Sequence, residues 1–259
     1  MGCSRTRGKL AFYENRKSGI CCVSESTFAT KRHSQPGSML EPPHPLAGLE
    51  EPIQSLQSVG SLFYQRGWSV GTSSNYSIVL KNSPLELLVT ASGKDKGRLG
   101  PTDFVRIGTG GKPIVAGQPK SSAETMLHVA IAEKLPVGAI LHTHSVWATE
   151  LSELYYPQGR IVLTGYEMLK GLAGITTHEA TWELEVFDNT QDIPSLADLL
   201  RKRLSATSPL RYGFLIRRHG MYTWGEDIEE ARRHVEIIEF LLECVGRGLL
   251  LKTVASPTS

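Results

Sequence analysis

Three features are scarce in this sequence: long apolar runs, cysteines outside the N-terminal region, and an excess of charge of one sign. No run of about 18 apolar residues occurs, so the sequence predicts no membrane-spanning helix. Three of the four cysteines lie within the first 22 residues, and only Cys244 follows, which excludes a disulfide within the rest of the chain. The formal net charge of +2 gives no indication of nucleic-acid binding. We therefore expect a cytoplasmic protein, in a reducing compartment, with no nucleic-acid partner.

The N-terminal region differs in composition from the remainder. Residues 1–38 contain seven Lys or Arg and two acidic residues, and residues 34–45 are rich in Pro, Ser and Gly. We predict a disordered basic tail and linker over 1–48, one catalytic domain over 49–250, and a flexible C-terminus over 251–259. The first six residues match the short N-myristoylation pattern, but a disordered tail, with Met39 as an alternative start, is the interpretation we favour.

Apolar spacing and turn residues predict a mixture of helices and strands. Helices are predicted near residues 51–66, 121–134, 146–154, 166–172, 195–204 and 227–245, and strands near 76–80, 85–90, 104–107, 138–142, 184–187, 214–217 and 221–224. Most strands are joined by short turns, which favours antiparallel pairing. The predicted fold class is α/β of the α+β type: a single domain with a central, mostly antiparallel or mixed sheet flanked by helices.

Histidines at two strand ends are the strongest chemical signal. His142 and His144 close an apolar strand, where side chains two residues apart face the same side. His219 ends another apolar strand and is followed by a glycine. Three histidines with an open position form a catalytic zinc site, although strand histidines can equally be hydrogen-bonded core or surface residues. The remaining histidines with no partner at ligand spacing are interpreted as ordinary residues: His128, His178 and His234.

Three loops offer small residues and backbone N–H groups to an anion. They are residues 71–77, residues 91–97 and the helix start at 121–124. Unpaired N–H donors at a helix start, with a lysine nearby, can cradle a phosphate. The pattern Ser121-x-x-Glu124 is equally well explained as a capping box, and residues 71–77 as an ordinary turn.

The order of these motifs along the chain resembles that of the class II aldolase and adducin family. The shared order is Gly-Thr-Ser-x-Asn-x-Ser at 71–77, Ser-Gly at 92–93, paired serines at 121–122, His-x-His at 142–144 and a distant histidine at 219. Within the family, residues 165–172, 187–193 and 219–225 are similar to the methylthioribulose-1-phosphate dehydratases. The resemblance covers about residues 50–248.

The resemblance implies an enzyme that removes water from 5-methylthioribulose 1-phosphate in methionine salvage, giving 2,3-diketo-5-methylthiopentyl 1-phosphate. It implies one Zn²⁺ per subunit and a homotetramer. It assigns the metal ligands to His142, His144 and His219, and the catalytic acid/base to Glu167. It places the substrate and its phosphate on Asn75, Ser92, Gly93, Ser121 and Ser122, with Lys96 and Glu124 as weaker additions.

Two other functions stay open. An aldolase or epimerase acting on another ketose phosphate would share the zinc site, so the metal residues do not separate it from a dehydratase. Aldolases of the family have an acidic residue directly after the paired serines, whereas Ala123 intervenes here before Glu124, which favours the dehydratase. A non-catalytic scaffold similar to the adducin head domain would be marked by loss of the zinc ligands, and all three histidines are present.

Overall fold

The computed structural model describes residues 44–255, in which five helices pack on one sheet of eight strands. The helices are α1 (Glu50–Gln65), α2 (Thr125–Lys134), α3 (Val146–Leu154), α4 (Ile193–Leu204) and α5 (Ile228–Ala255). The strands are β1 (Asn75–Asn82), β2 (Leu85–Thr90), β3 (Phe104–Gly108), β4 (Ala139–Thr143), β5 (Arg160–Leu163), β6 (Trp182–Phe187), β7 (Gly213–Ile216) and β8 (Gly220–Gly225). Short 3-10 helices span Lys96–Arg98, Tyr156–Gln158 and Glu167–Gly171.

The strand order across the sheet is β3-β2-β1-β4-β8-β7-β6-β5. Neighbouring strands run antiparallel except β6 and β7, which are parallel. The predicted mostly antiparallel sheet flanked by helices is therefore confirmed. The strand that the sequence analysis did not predict is β5, an edge strand of four residues that alternates exposed and buried positions.

The helices form two layers, because successive strand positions pack against different helices. Leu141 and Met221 pack in the core cluster that contains residues of α1, α3 and α5. Ile140 and Tyr222, one residue along, pack with residues of α2 and α4. Because successive strand residues point to opposite faces, α1, α3 and α5 cover one face of the central strands and α2 and α4 cover the other.

Three strand ends meet near the centre of the sheet. In the register of β1 and β4, Asn75 pairs with His142, and in that of β4 and β8, His142 pairs with Tyr222. Strands β7 and β8 are joined by a tight turn in which Arg218 has a positive φ of 49°. Gly220 opens β8, where an added Cβ would lie 2.0 Å from the carbonyl oxygen of Thr143. This close approach places the β7–β8 turn against the end of β4.

Several element boundaries differ from the prediction. Helix α2 begins at Thr125 rather than at residue 121, and residues 166–172 contain a 3-10 helix rather than an α-helix. Helix α5 continues to Ala255, past both the predicted helix end and the predicted domain end at residue 250. The helix continues through Gly246, where an added Cβ would lie 2.3 Å from the ring of Trp147. The glycine allows α3 and α5 to pack closely.

The predicted domain start also differs slightly, since Leu46 is already buried in the main core cluster. The predicted disordered tail up to residue 43, the myristoylation pattern and residues 256–259 lie outside the described residues. Within the described part of the chain, none of the helices combines the length and the apolar character that crossing a membrane requires.

Candidate metal centre

Three histidine side chains meet at the end of strand β4. The Nε2 atom of His142 lies 2.7 Å from Nε2 of His144 and 3.3 Å from Nε2 of His219. One nitrogen from each ring lies within 4.8 Å of the others, so the three residues could hold one metal ion. The structure thus brings together the three residues that the sequence analysis predicts as ligands.

The backbone explains why these histidines converge. His142 lies in β4 and His144 follows it, so both side chains leave the same side of the strand. The backbone N–H of His144 donates to the carbonyl of Trp68 at 2.7 Å, which fixes the chain after the strand end. His219 comes from the β7–β8 turn and reaches the cluster from the neighbouring strand pair.

The orientation of the His142 ring is fixed on two sides. Its Nδ1 donates to the backbone carbonyl of Met221 at 2.9 Å, which leaves Nε2 without a proton and facing the cluster. The ring of Tyr222 stacks on it with centroids 4.0 Å apart. A histidine ligand that donates its other nitrogen to a carbonyl is typical of protein metal sites.

Two of the candidate ligands are held in the neutral form that binds a metal. Burial, reinforced by the neighbouring His144, lowers the pKa of His142 well below its usual value. Burial, with the charge of His219, also lowers the pKa of His144 to about 4. At neutral pH these rings therefore offer lone pairs without first losing a proton.

A carboxylate completes the cluster. Glu124 Oε1 lies 3.1 Å from His219 Nε2, and Oε2 lies 3.9 Å from His142 Nε2. Burial alone would raise the pKa of this carboxyl group, but the hydrogen bond to His219, the nearby histidine charges and a hydrogen bond from Asn75 lower it to about 2. Glu124 is therefore ionised at neutral pH.

The capping-box interpretation of Ser121 and Glu124 is wrong. Glu124 is itself the N-cap residue of α2 and its side chain makes no capping hydrogen bond. Ser121 instead donates to the carbonyl of Gly111 at 3.2 Å. The additional residue Ala123 is accommodated in the turn before α2, and the Glu124 carboxylate still reaches the histidines. The presence of Ala123 therefore no longer argues against a chemical role for Glu124 at the candidate metal centre.

A cavity of about 460 Å³ adjoins this turn and contains most of the predicted phosphate residues. It is lined by Ser92, Ser121 and Ser122, together with Lys120 and Gly111. The hydroxyl groups and the lysine suit an anion. Lys120 was not predicted, although its position directly before the paired serines was a signal that could have identified it.

A second cavity, of about 310 Å³, shares Ser122 and Ala123 with the first. Its walls include Glu124, His219 and the loop of residues 189–191. Residues 122–123 therefore lie between the first cavity, which suits an anion, and the second cavity, which is lined by His219 of the histidine cluster.

Comparison with known proteins agrees with this arrangement. Residues 54–245 match the family model described as the class II aldolase and adducin N-terminal domain. The chain belongs to the class II aldolase and adducin family.

Family relatives of high similarity carry one name. The chain is 47% identical over 201 residues to the methylthioribulose-1-phosphate dehydratase of Hahella chejuensis, an alignment that covers 77% of this chain and 95% of the relative. It is 46% identical over 192 residues to the enzyme of the same name from Marinobacter nauticus, covering 74% of this chain and 90% of the relative.

Solved structures of the family share the fold. The sugar-phosphate aldolase from Thermotoga maritima superposes with a TM-score of 0.63 at 20% identity, covering 82% of this chain and 99% of that one. The L-fuculose-1-phosphate aldolase from Thermus thermophilus gives a TM-score of 0.60 at 21% identity, covering 78% and 97%.

Glu167, which the family resemblance assigns as acid/base, lies apart from the histidine cluster in the described chain. Its side chain is 70% exposed and forms ion pairs with Lys170 and, at 3.6 Å, with His178. The hydrogen bond and charge of Lys170 lower the pKa of its carboxyl group. Within residues 44–255, it forms no hydrogen bond with the three candidate ligands.

The remaining predicted substrate residues have different surroundings. Gly93 is exposed next to Ser92 and has a positive φ of 72°. Asn75 is buried, and its carboxamide is held by Glu124 and His128 rather than facing the serine cavity. Lys96 is buried and donates from Nζ to the carbonyl of Lys94 at 2.7 Å, and burial lowers its pKa to about 8.

His128, interpreted from the sequence as an ordinary residue, is hydrogen-bonded to Asn75, which contacts Glu124. The missed signal is its spacing: Glu124 and His128 are four residues apart at the start of α2, so their side chains share one helix face. The other two histidines set aside with it are separate from the cluster. His178 pairs with Glu167, and His234 donates to the carbonyl of Trp224.

Proposed function

We propose that this chain is a zinc-dependent dehydratase that converts 5-methylthioribulose 1-phosphate into 2,3-diketo-5-methylthiopentyl 1-phosphate and water. The observation that carries the proposal is the 46–47% identity, over about three quarters of the chain, to relatives named methylthioribulose-1-phosphate dehydratase. The histidine cluster, the adjacent carboxylate and the serine-lined cavity support the same reaction. We therefore propose that the enzyme acts in methionine salvage.

The donor set fits zinc. Three imidazole nitrogens are typical of catalytic zinc sites, and such sites leave a coordination position for substrate or water. We expect about one zinc ion per chain, held by His142, His144 and His219. Zinc supplies a Lewis acid that polarises a carbonyl oxygen and makes the adjacent C–H group more acidic.

The reaction needs two proton transfers at neighbouring carbons. A base removes the proton from C3, and an acid gives a proton to the C4 hydroxyl, which leaves as water. The resulting enol becomes the C3 ketone when C4 gains a proton and the enol oxygen at C3 loses one. We propose that Glu124 takes the C3 proton, because it is ionised and lies beside two of the candidate ligands.

We retain Glu167 as the acid/base at C4, the role that the family resemblance assigns to it. Because Lys170 lowers the pKa of this exposed carboxyl group, it must take up a proton before it can give one to the C4 hydroxyl. It can act there only if the bound substrate or a second subunit reaches it. A homotetramer, which the resemblance implies, offers such a subunit. Exposed apolar side chains, among them Val146 and Val162, are available for a contact between subunits.

The cavity lined by Ser92, Lys120 and the paired serines is proposed to hold the C1 phosphate. Its hydroxyl groups donate hydrogen bonds, and Lys120 supplies a positive charge. The cavity shares Ser122 and Ala123 with the one that opens onto Glu124 and His219, so a short phosphorylated ketose could span the two. We place the enzyme in the cytoplasm, where Cys244, the free cysteine of the described domain, would stay reduced.

One observation favours a second candidate, an aldolase acting on a ketose phosphate. Glu124 lies at the metal centre, where a carboxylate would also serve cleavage of the C3–C4 bond. Both reactions build up negative charge on the C2 carbonyl oxygen of a ketose phosphate, but their products differ. Dehydration keeps the carbon chain intact, whereas aldol cleavage releases an aldehyde.

The test incubates the zinc-loaded protein with 5-methylthioribulose 1-phosphate and analyses the products by mass spectrometry and an aldehyde assay. We expect a product lighter than the substrate by one water molecule and no aldehyde. Release of a short aldehyde would support the aldolase instead. Absence of any turnover with zinc bound would reject the dehydratase and leave an aldolase acting on another ketose phosphate or the non-catalytic scaffold.

A further inference from the structure

A buried chain of hydrogen bonds leads from strand β1 to the candidate metal centre. The Ser77 hydroxyl lies 2.7 Å from His128 Nδ1, and His128 Nε2 lies 2.5 Å from Asn75 Oδ1. Asn75 Nδ2 then lies 2.8 Å from Glu124 Oε2. Ser77 and His128 are fully buried and Asn75 is 3% exposed, so solvent does not replace these bonds.

The direction of each bond follows from the one before it. The Asn75 Nδ2 group can only donate, so Glu124 Oε2 accepts the bond between them. Its Oδ1 then faces His128, and an amide oxygen only accepts, so His128 must carry its proton on Nε2. The unprotonated Nδ1 is left to accept from the Ser77 hydroxyl.

The surroundings of His128 suit this single arrangement. Burial lowers its pKa to about 3, so the ring is neutral at physiological pH and has one donor and one acceptor nitrogen. The ring of Tyr222, which stacks on His142, meets His128 edge to face at 5.6 Å. The imidazole is therefore packed in place as well as hydrogen-bonded.

We propose that His128 is a positioning residue that locks the Asn75 carboxamide and so fixes the Glu124 carboxylate beside His219. Without the Nε2–H donor, the carboxamide is free to rotate and present its oxygen to Glu124, which would displace the carboxylate. The proposal rests on the proposed function in that Glu124 acts on the substrate. The geometry itself can be tested without turnover.

The kinetic test compares His128→Leu with His128→Gln, whose side-chain amide nitrogen can take the place of Nε2. For the leucine variant we expect retained zinc, a similar KM and a kcat lower by roughly 10- to 100-fold. The glutamine variant should recover most of the lost kcat. The matched control is His234→Leu, another buried histidine, which donates to the Trp224 carbonyl and accepts from the Ala173 N–H, both outside the chain of bonds. It should keep the wild-type kcat.

Wild-type kcat in a folded, zinc-loaded His128→Leu protein would overturn the proposal. An equal kcat loss in His234→Leu would overturn it too, because the effect would then follow from losing any buried histidine.

A second measurement uses ¹⁵N NMR of the wild-type protein and needs neither turnover nor a folded leucine variant. His128 should be a neutral ring protonated on Nε2, and the Asn75 side-chain amide protons should exchange slowly with solvent. Ser77→Ala should weaken the tautomer preference and speed that exchange. A His128 ring protonated on Nδ1 would overturn the proposal whatever the activity. The expected tautomer in a protein that fails to dehydrate the substrate would uphold the geometry and count only against the proposed function.

Discussion

Glu239 offers a prediction about stability that can be worked from the structure. It lies in helix α5 behind the histidine strand and is 2% exposed. Its Oε1 accepts a hydrogen bond from the Thr143 hydroxyl at 3.2 Å, while Oε2 has no hydrogen-bond partner among the described residues. Burial raises the pKa of this carboxyl group from 4.5 to about 7. The folded protein therefore resists ionising this side chain.

The sign and size of the effect follow from proton linkage. Below pH 4.5 the carboxyl group is protonated in both the folded and the unfolded protein, and its contribution to stability is fully present. Between that pH and about 7 only the unfolded chain has lost the proton, so each pH unit lowers the free energy of unfolding by about 1.36 kcal/mol. The total loss is about 3 kcal/mol, or roughly 6–12 °C in Tm for a domain of this size.

The assay compares the melting temperatures of wild type and Glu239→Gln at equal protein concentration across this pH range. Glutamine cannot ionise, so the Tm of the variant relative to wild type should rise by roughly 6–12 °C from pH 4.5 to about pH 8. A constant offset from the unpaired amide group does not alter this change.

The matched control is Glu229→Gln, on the same helix with a side chain that is 67% exposed. Its carboxylate forms an exposed ion pair with Arg232, which contributes little to stability, so this substitution should change Tm little. A Glu239→Gln difference that is independent of pH would refute the reasoning.

Four further substitutions test the candidate metal centre and its support. His219→Ala should lower both zinc content and turnover, the latter by about 100-fold or more, since two histidines bind zinc weakly; full zinc content after gel filtration would remove it from the ligand set. Glu124→Gln should keep zinc and reduce kcat by about 10²- to 10⁴-fold. Glu167→Gln should also keep zinc and lose most turnover. A normal kcat in either variant would show that the substituted glutamate does not have its proposed role. Gly220→Ala should lower the free energy of unfolding by about 2 kcal/mol in urea titrations, because its Cβ would lie 2.0 Å from the Thr143 carbonyl oxygen; unchanged stability would contradict that close contact.

The fold class could be predicted because local patterns agree with the tertiary arrangement. In α1 the apolar spacing marks the residues that are buried, such as Leu56 and Phe63. Edge strand β5 was missed because four residues carry little periodic signal. Helix α5 extends beyond the predicted end at residue 245, and Gly246 lies inside it, where it contacts the ring of Trp147. Long-range packing decides such positions, and sequence spacing does not reveal it.

The candidate site was only partly predictable for a similar reason. The two-residue spacing on a strand predicts His142 and His144, and the position at another strand end predicts His219. Glu124 was assigned only a weak role because Ala123 shifts it from its expected place, and only the turn before α2 shows that it reaches the histidines. The link from His128 through Asn75 to Glu124 depends on the pairing of β1 with β4, which brings Asn75 to the end of β4.

The most direct test of the central claim is a zinc titration of the metal-free protein with 5-methylthioribulose 1-phosphate present. We expect dehydration to be absent without metal, to rise in proportion to added zinc and to stop rising at about one zinc ion per chain. We also expect no aldehyde at any point. Full turnover in the metal-free protein, or an aldehyde that increases with zinc, would contradict the proposed zinc-dependent dehydration.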